Sequence, residues 1–118
     1  MTPKKSIEFK IEEGGRNLSN GEKQLINIIR VFLRSSEIIC LDEATSNLDV
    51  YTEELINKAM QKMENKTLVL ITHRLENLKD FDVIYVMKKG EIVEEGNFKS
   101  LSDNENSFFN GFLKNTKN

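Results

Sequence analysis

The run Ile38-Ile39-Cys40-Leu41-Asp42-Glu43 drives four apolar residues straight into two carboxylates. A short apolar run bounded by polar residues fits a strand buried on both faces. A buried helix segment can look the same, and here length favours the strand. In open α/β sheets, ligands sit beyond the carboxyl ends of the strands, so Asp42 and Glu43 are expected where a ligand lies. Two acids at a buried strand end are costly unless something uses their charge. A magnesium–phosphate group would use it. Adjacent residues on an ideal strand point to opposite faces, so Glu43 requires the strand to end at that point.

The elements that must hold these acids read clearly on both sides. Ser19 with Glu22 three residues on is a capping box. It opens a run in which Leu25, Ile28, Ile29, Phe32 and Leu33 recur at helical spacing, with Ile26 and Val31 widening the face. This predicts a well-buried helix ending near Arg34-Ser35-Ser36. Asp49 can cap a second helix, Val50 to Met63, with Glu53 and Glu54 in its first turn and Lys58 and Lys62 later, as the helix dipole favours. Leu55, Ile56, Ala59, Met60 and Met63 give that helix one apolar face. Thr67–Ile71 is a second buried strand, and strand–helix–strand order implies parallel pairing. Val83–Met87 and Glu91–Glu94 flank Lys88-Lys89-Gly90 as a β-hairpin. A short helix is expected from Asn97 to Leu101. A last helix carries Phe108, Phe109, Phe112 and Leu113, although Gly111 interrupts its pattern. Met1–Ser6 reads as a loose end, of cloning or gene-model origin. Ile7–Ile11 reads as a short strand or an extended lead-in, broken by Gly14-Gly15.

Composition bounds the function. At 118 residues the chain suits one domain with a modest core. With 38% hydrophobic and 31% charged residues it reads as globular rather than disordered. No apolar run approaches a membrane span, and no secretory signal is visible. A net charge of -2 without a basic block argues against a nucleic-acid surface. Cys40, the single cysteine, reads as a core residue in a reducing compartment.

The residues Ile38–Asp49 (IICLDEATSNLD) resemble the Walker B motif and D-loop of the ATP-binding-cassette (ABC) ATPases. Leu18-Ser19-Asn20-Gly21-Glu22 is similar to the family signature LSGGQ, and Leu70-Ile71-Thr72-His73-Arg74 to the switch-histidine strand end. The three motifs stand in the family's order and approximate spacing over residues 12 to 101. The pattern from Thr72 to Gly96 resembles exporters, and Glu13–Ser19 has the flavour of the multidrug-resistance-associated-protein group.

The resemblance implies an α/β fold, part of a P-loop NTPase domain with parallel strands, a C-terminal β-hairpin and flanking helices. It divides the chain into a lead-in (1–11), the C-terminal half of a nucleotide-binding domain (12–101) and a helix with tail (102–118). It assigns Asp42 to magnesium through water and Glu43 to the attacking water. His73 would sense the γ-phosphate of ATP. Leu18, Ser19, Asn20, Gly21 and Glu22 would meet nucleotide held by an opposite domain, and Asp49 would touch that domain. Structural alternatives stand beside these roles: Asp42 as a turn cap, a lone histidine that only packs, and Asp49 as a helix cap. A helix N-terminus is an anion site in its own right, so capping and phosphate binding at Ser19 are compatible. Asn20 and Glu22 depart from LSGGQ. Asn tolerates left-handed backbone less freely than Gly, and Glu22 would repel phosphate unless it faces the backbone cap.

No G-x-x-x-x-G-K-[ST] run is present, and the span Gly15–Lys23 has the wrong glycine spacing. The expectation is therefore an ATPase portion of an exporter that is inactive alone. Its partners would be a second nucleotide-binding domain and transmembrane domains, on the cytoplasmic side of a membrane, with ATP and Mg2+ as cofactors and no nucleic acid. The alternatives are a non-catalytic interaction fragment, or an ABC ATPase of DNA maintenance or translation.

Overall fold

A computed structural model describes Ser6 and residues 8–116. Glu8–Ile11 lie in no strand, and Met1–Lys5 and Ile7 fall outside the described residues. The chain divides after Ile71 into two compact units.

In the first unit, Gly14 and Gly15 turn the chain with φ of 69° and 64°, which only glycine adopts freely. Asn17 closes the following loop: its Oδ1 accepts from the Glu12 amide at 3.1 Å and its Nδ2 donates to the Lys10 carbonyl at 2.9 Å. Helix α1 (Asn20–Phe32) then starts at the expected capping box. Strand β1 (Ile38–Asp42), helix α2 (Val50–Gln61) and strand β2 (Thr67–Ile71) follow. The two strands pair in parallel from Ile38 opposite Thr67 to Asp42 opposite Ile71. Their C-terminal ends thus share one edge, as the strand–helix–strand order requires.

One face of this pair forms the core. Ile39 and Leu41 of β1 pack with Ile28 of α1 and with Ile56 and Met60 of α2, and Leu68 and Leu70 of β2 close the cluster. The other face is open. Ile38, Val69 and Ile71 are 64%, 45% and 58% exposed, and Cys40 beside them is exposed too. This corrects two expectations. The strands are not buried on both faces, and Cys40 is not a core residue. The pleat sends residues 38, 40, 67, 69 and 71 to the side that no described element of this unit covers. Helix α1 is likewise less buried than its wide apolar arc implied. Only Ile28 is fully enclosed; Ile29 is 47% exposed, and Leu33, just past the helix end, is 82% exposed.

In the second unit, β3 (Ile84–Lys88) and β4 (Glu91–Gly96) form the expected antiparallel hairpin, with an irregularity between Val86 and Met87. Lys89 and Gly90 turn it with φ of 51° and 84°, the double positive φ of a turn matched to strand twist. Helix α3 (Phe98–Asp103) begins at the Asn97 cap. Helix α4 (Phe108–Thr116) continues through Gly111. Phe109, only 1% exposed, anchors the unit and meets Phe98 edge-to-face at 5.5 Å. The Glu94 carboxylate caps α4, accepting from the Phe108 and Phe109 amides at 2.7 and 3.1 Å. Two of the donors that every helix start leaves orphaned are thereby satisfied, and the carboxylate suits the positive end of the helix. No helix among the described residues is long and apolar enough to cross a membrane.

The two faces of β1 predict opposite responses to truncation. In the chain itself, Ile39→Ala should cost about 2–4 kcal/mol by leaving a cavity, whereas Ile38→Ala should cost less than about 1 kcal/mol because its side chain already meets solvent. Urea unfolding of both variants measures the difference, and equal losses would contradict the open face.

Candidate functional site

Strand β1 ends at Asp42, as two usable carboxylates demand. The Glu43 amide still donates to the Ile71 carbonyl at 3.0 Å, one step beyond the ladder. The backbone then leaves the strand, because Glu43 has a φ of 47°. A non-glycine residue in this region carries a cost of about 1–2 kcal/mol, and such positions cluster at functional sites. The strict alternation of the strand is thereby broken between the two acids. Asp42 is exposed and Glu43 half-buried; the burial expected of this strand end is absent, because the face carrying Asp42 is the open one.

A tight turn carries the chain from Glu43 to α2. The Ser46 amide donates to the Glu43 carbonyl at 3.2 Å and the Leu48 amide to the Thr45 carbonyl at 3.1 Å. Beneath it, buried Thr45 donates its hydroxyl to the Glu53 carboxylate at 2.9 Å. Glu53 was read from the sequence only as a first-turn acid suited to the helix dipole. It is 6% exposed and braces the turn on which Glu43 stands. Asp49 caps α2 as expected, accepting from the Thr52 amide at 3.0 Å and the Thr52 hydroxyl at 2.7 Å. Those bonds hold its carboxyl below the ordinary carboxylate value, the Thr52 side chain contributing most.

The signature-like loop is set by the capping box. The Ser19 hydroxyl accepts from the Glu22 amide at 3.2 Å, and the Glu22 carboxylate accepts from the Ser19 amide at 2.8 Å. Glu22 therefore faces the backbone cap, as the sequence required of it. Gly21 lies against the turn after β1: a Cβ there would stand 2.8 Å from the Asn47 carbonyl oxygen. The glycine thus serves close backbone approach within the unit. Gln24, one turn further along α1, reaches the same turn; its Nε2 donates to the Ser46 hydroxyl at 3.1 Å and its Oε1 accepts from the Asn47 amide at 3.0 Å. Sequence reasoning missed Gln24. Its i, i+3 relation to Gly21 was the available signal, since that spacing puts both on one helix face.

The structure thus brings Leu18–Glu22 and the turn leading to Asp49 together, and sets Asp42 and Glu43 at the start of that turn. His73, two residues past Ile71 along the chain, belongs to the second unit and is exposed. There it borders an open cleft with Arg74, Glu76, Lys79 and Ser102. Among the described residues no cluster of three or more His, Cys, Asp or Glu is arranged to hold a metal by itself. The Asp42 and Glu43 carboxylates are oxygen donors of the kind that magnesium takes one or two at a time beside phosphate and water.

A strand-end acid pair, a capped glycine-bearing helix start and the turn packed against it thus stand together in the first unit, and comparison with known proteins finds chains that resemble this one. The ABC transporter family model matches residues 4–46. The chain is 39% identical over 111 residues, 93% of its length, to the glutathione/L-cysteine transport system ATP-binding/permease protein CydC of Haemophilus influenzae. It is 45% identical over 96 residues, 80% of its length, to the ATP-dependent lipid A-core flippase 2 of Colwellia psychrerythraea. A bacterial Atm1-family ABC exporter solved with ATP bound superposes on 92% of the chain with a TM-score of 0.85 at 31% identity. Over most of its length the chain is therefore similar to ABC transporter proteins. It spans 19% of the first relative, 16% of the second and 19% of the solved exporter chain.

Two measurements test this geometry. Gly21→Ala forces a methyl group against the Asn47 carbonyl and should destabilise the chain by about 1–3 kcal/mol; unfolding with denaturant reads the loss, and full stability would refute the close approach. The lowered pKa of folded Asp49 sets a sign: its contribution to stability is complete above its unfolded value and is lost as pH falls through the lower folded value. Acid unfolding should therefore be less steep in Asp49→Asn than in the parent chain, and identical acid limbs would show the cap to be unimportant.

Proposed function

We propose that residues 12–101 are the C-terminal half of the nucleotide-binding domain of an ABC exporter, and that in the complete domain they take part in MgATP hydrolysis coupled to transport across a membrane. The observation that carries this reading is the end of β1, where the chain places Asp42 and then Glu43 in left-handed backbone. The likeness to exporters and the carboxylate-plus-phosphate chemistry of the donor set support it. The half that would cradle the phosphates with backbone amides and a lysine is not encoded in this run of residues. The chain by itself therefore binds ATP weakly and does not hydrolyse it.

In the complete domain, Asp42 would hold magnesium through water, and the ion would supply charge neutralisation at the phosphates. Glu43 accepts a proton from the attacking water, a role typically worth about 10²- to 10⁴-fold. His73 donates a hydrogen bond to the terminal phosphate. Ser19, with the amides of Asn20 and Gly21 at the start of α1, faces the nucleotide of a second nucleotide-binding domain, and Leu18 and Glu22 hold that loop in shape. Asp49 carries the turn toward the same partner. The transmembrane domains lie outside these residues, and the working location is the cytoplasmic side of a membrane.

Glu43→Gln keeps the shape and removes the base. In the complete domain it should lower the rate of phosphate release by at least about 100-fold while nucleotide-driven dimerisation, followed by sedimentation, persists. Turnover at the parent rate would show that Glu43 is not the base. The chain alone should release no phosphate from MgATP above background.

A further inference from the structure

We propose that Gln24 is a positioning residue that locks the start of α1 and the Ser46–Asn47 turn into one rigid element, so that Ser19 and Asp49 meet the second nucleotide-binding domain as a single body. This rests on the reading above that both face that domain. Three contacts carry it. Gly21 brings the α1 backbone against the Asn47 carbonyl, where even a Cβ would lie at 2.8 Å. One turn on, the Gln24 amide spans the same turn with both of its ends: Oε1 accepts from the Asn47 amide at 3.0 Å and Nε2 donates to the Ser46 hydroxyl at 3.1 Å. The backbone amide can only donate, so it fixes which end of the side chain is oxygen, and the serine must then accept.

The location gives the clamp its consequence. The turn it grips begins at Glu43, whose carbonyl accepts from the Ser46 amide, and ends at Asp49, the cap of α2. Gln24 is half-buried and reaches neither acid. Its effect passes through the turn. A loose turn would leave Ser19 and Asp49 to find their places separately at each closure and pay ordering entropy there, whereas a preformed one does not. Nucleotide affinity is set mainly by the phosphate cradle of the other half, so loss of the clamp should act on turnover rather than on KM.

Gln24→Met keeps length and removes both bonds; Gln24→Glu keeps them, with the serine hydroxyl reversing to donate. In the chain itself, amide exchange of Asn47 should accelerate at least about tenfold in Gln24→Met, while amides in the middle of α1 and in β1 stay protected, and Gln24→Glu should restore it. In the complete domain, Gln24→Met should lower kcat about tenfold, the equivalent of one to two net hydrogen bonds, with KM for ATP within about twofold, and Gln24→Glu should recover most of the rate. Parent-level kcat in Gln24→Met, in a protein that Glu43→Gln inactivates, overturns the clamp and leaves the site reading intact. Hydrolysis that survives Glu43→Gln overturns the site reading and this proposal with it. Loss of protection throughout α1 would mean that Gln24 only supports the helix, and also overturns it.

Discussion

The parallel pairing of β1 with β2 is the constraint on which the first unit depends. It fixes which residues of each strand face α1 and α2, because a shift of one residue would turn every side chain over. In this register Ile39 and Leu41 enter the core with Leu68 and Leu70, and Asp42 stands opposite Ile71 at the shared edge. The Glu43 amide extends the same ladder by one bond. The position of the acids is therefore set by apolar packing several residues earlier. The strained backbone at Glu43 is held by the ladder before it and by the Thr45–Glu53 brace after it.

The signature-like loop depends on that framework at one remove. Its own capping box shapes it, but its place is given by the turn after β1, through Gly21 and Gln24. Two segments far apart in sequence, both of which the family resemblance assigns to an interface between domains, are thus already joined within one unit. The same economy appears in the second unit, where the Glu94 carboxylate ties β4 to the start of α4 and buried Phe109 packs on Phe98 of α3.

Much of this was legible in the sequence, for physical reasons that differ from element to element. The Ser19–Glu22 box, the Asp49 cap and the Lys89-Gly90 hairpin turn are local, and their chemistry is written in adjacent residues. The parallel pair followed from β–α–β order. What escaped were the pairings that only tertiary contact makes. Gln24 carries no motif of its own in the capping pattern, and a buried Glu53 is indistinguishable from an ordinary first-turn acid until Thr45 is placed beside it. The burial of β1 was misjudged on one face because hydrophobicity records where a side chain is suited to lie, not whether the element that would cover it is at hand. Ile38, Val69 and Ile71 are all suited to cover that the described residues of this unit do not provide.

Cys40 stands in the middle of that open face, between Ile38 and Asp42 on its own strand and opposite Val69 on the next. As the chain's sole thiol, it makes the face chemically addressable. A small alkylating reagent would mark one defined spot on the sheet, and whatever comes to lie over the strands would shield the sulfur as it shields the isoleucines. The residue that hydrophobic patterning assigned to the interior thus serves as a built-in gauge of whether the sheet is covered.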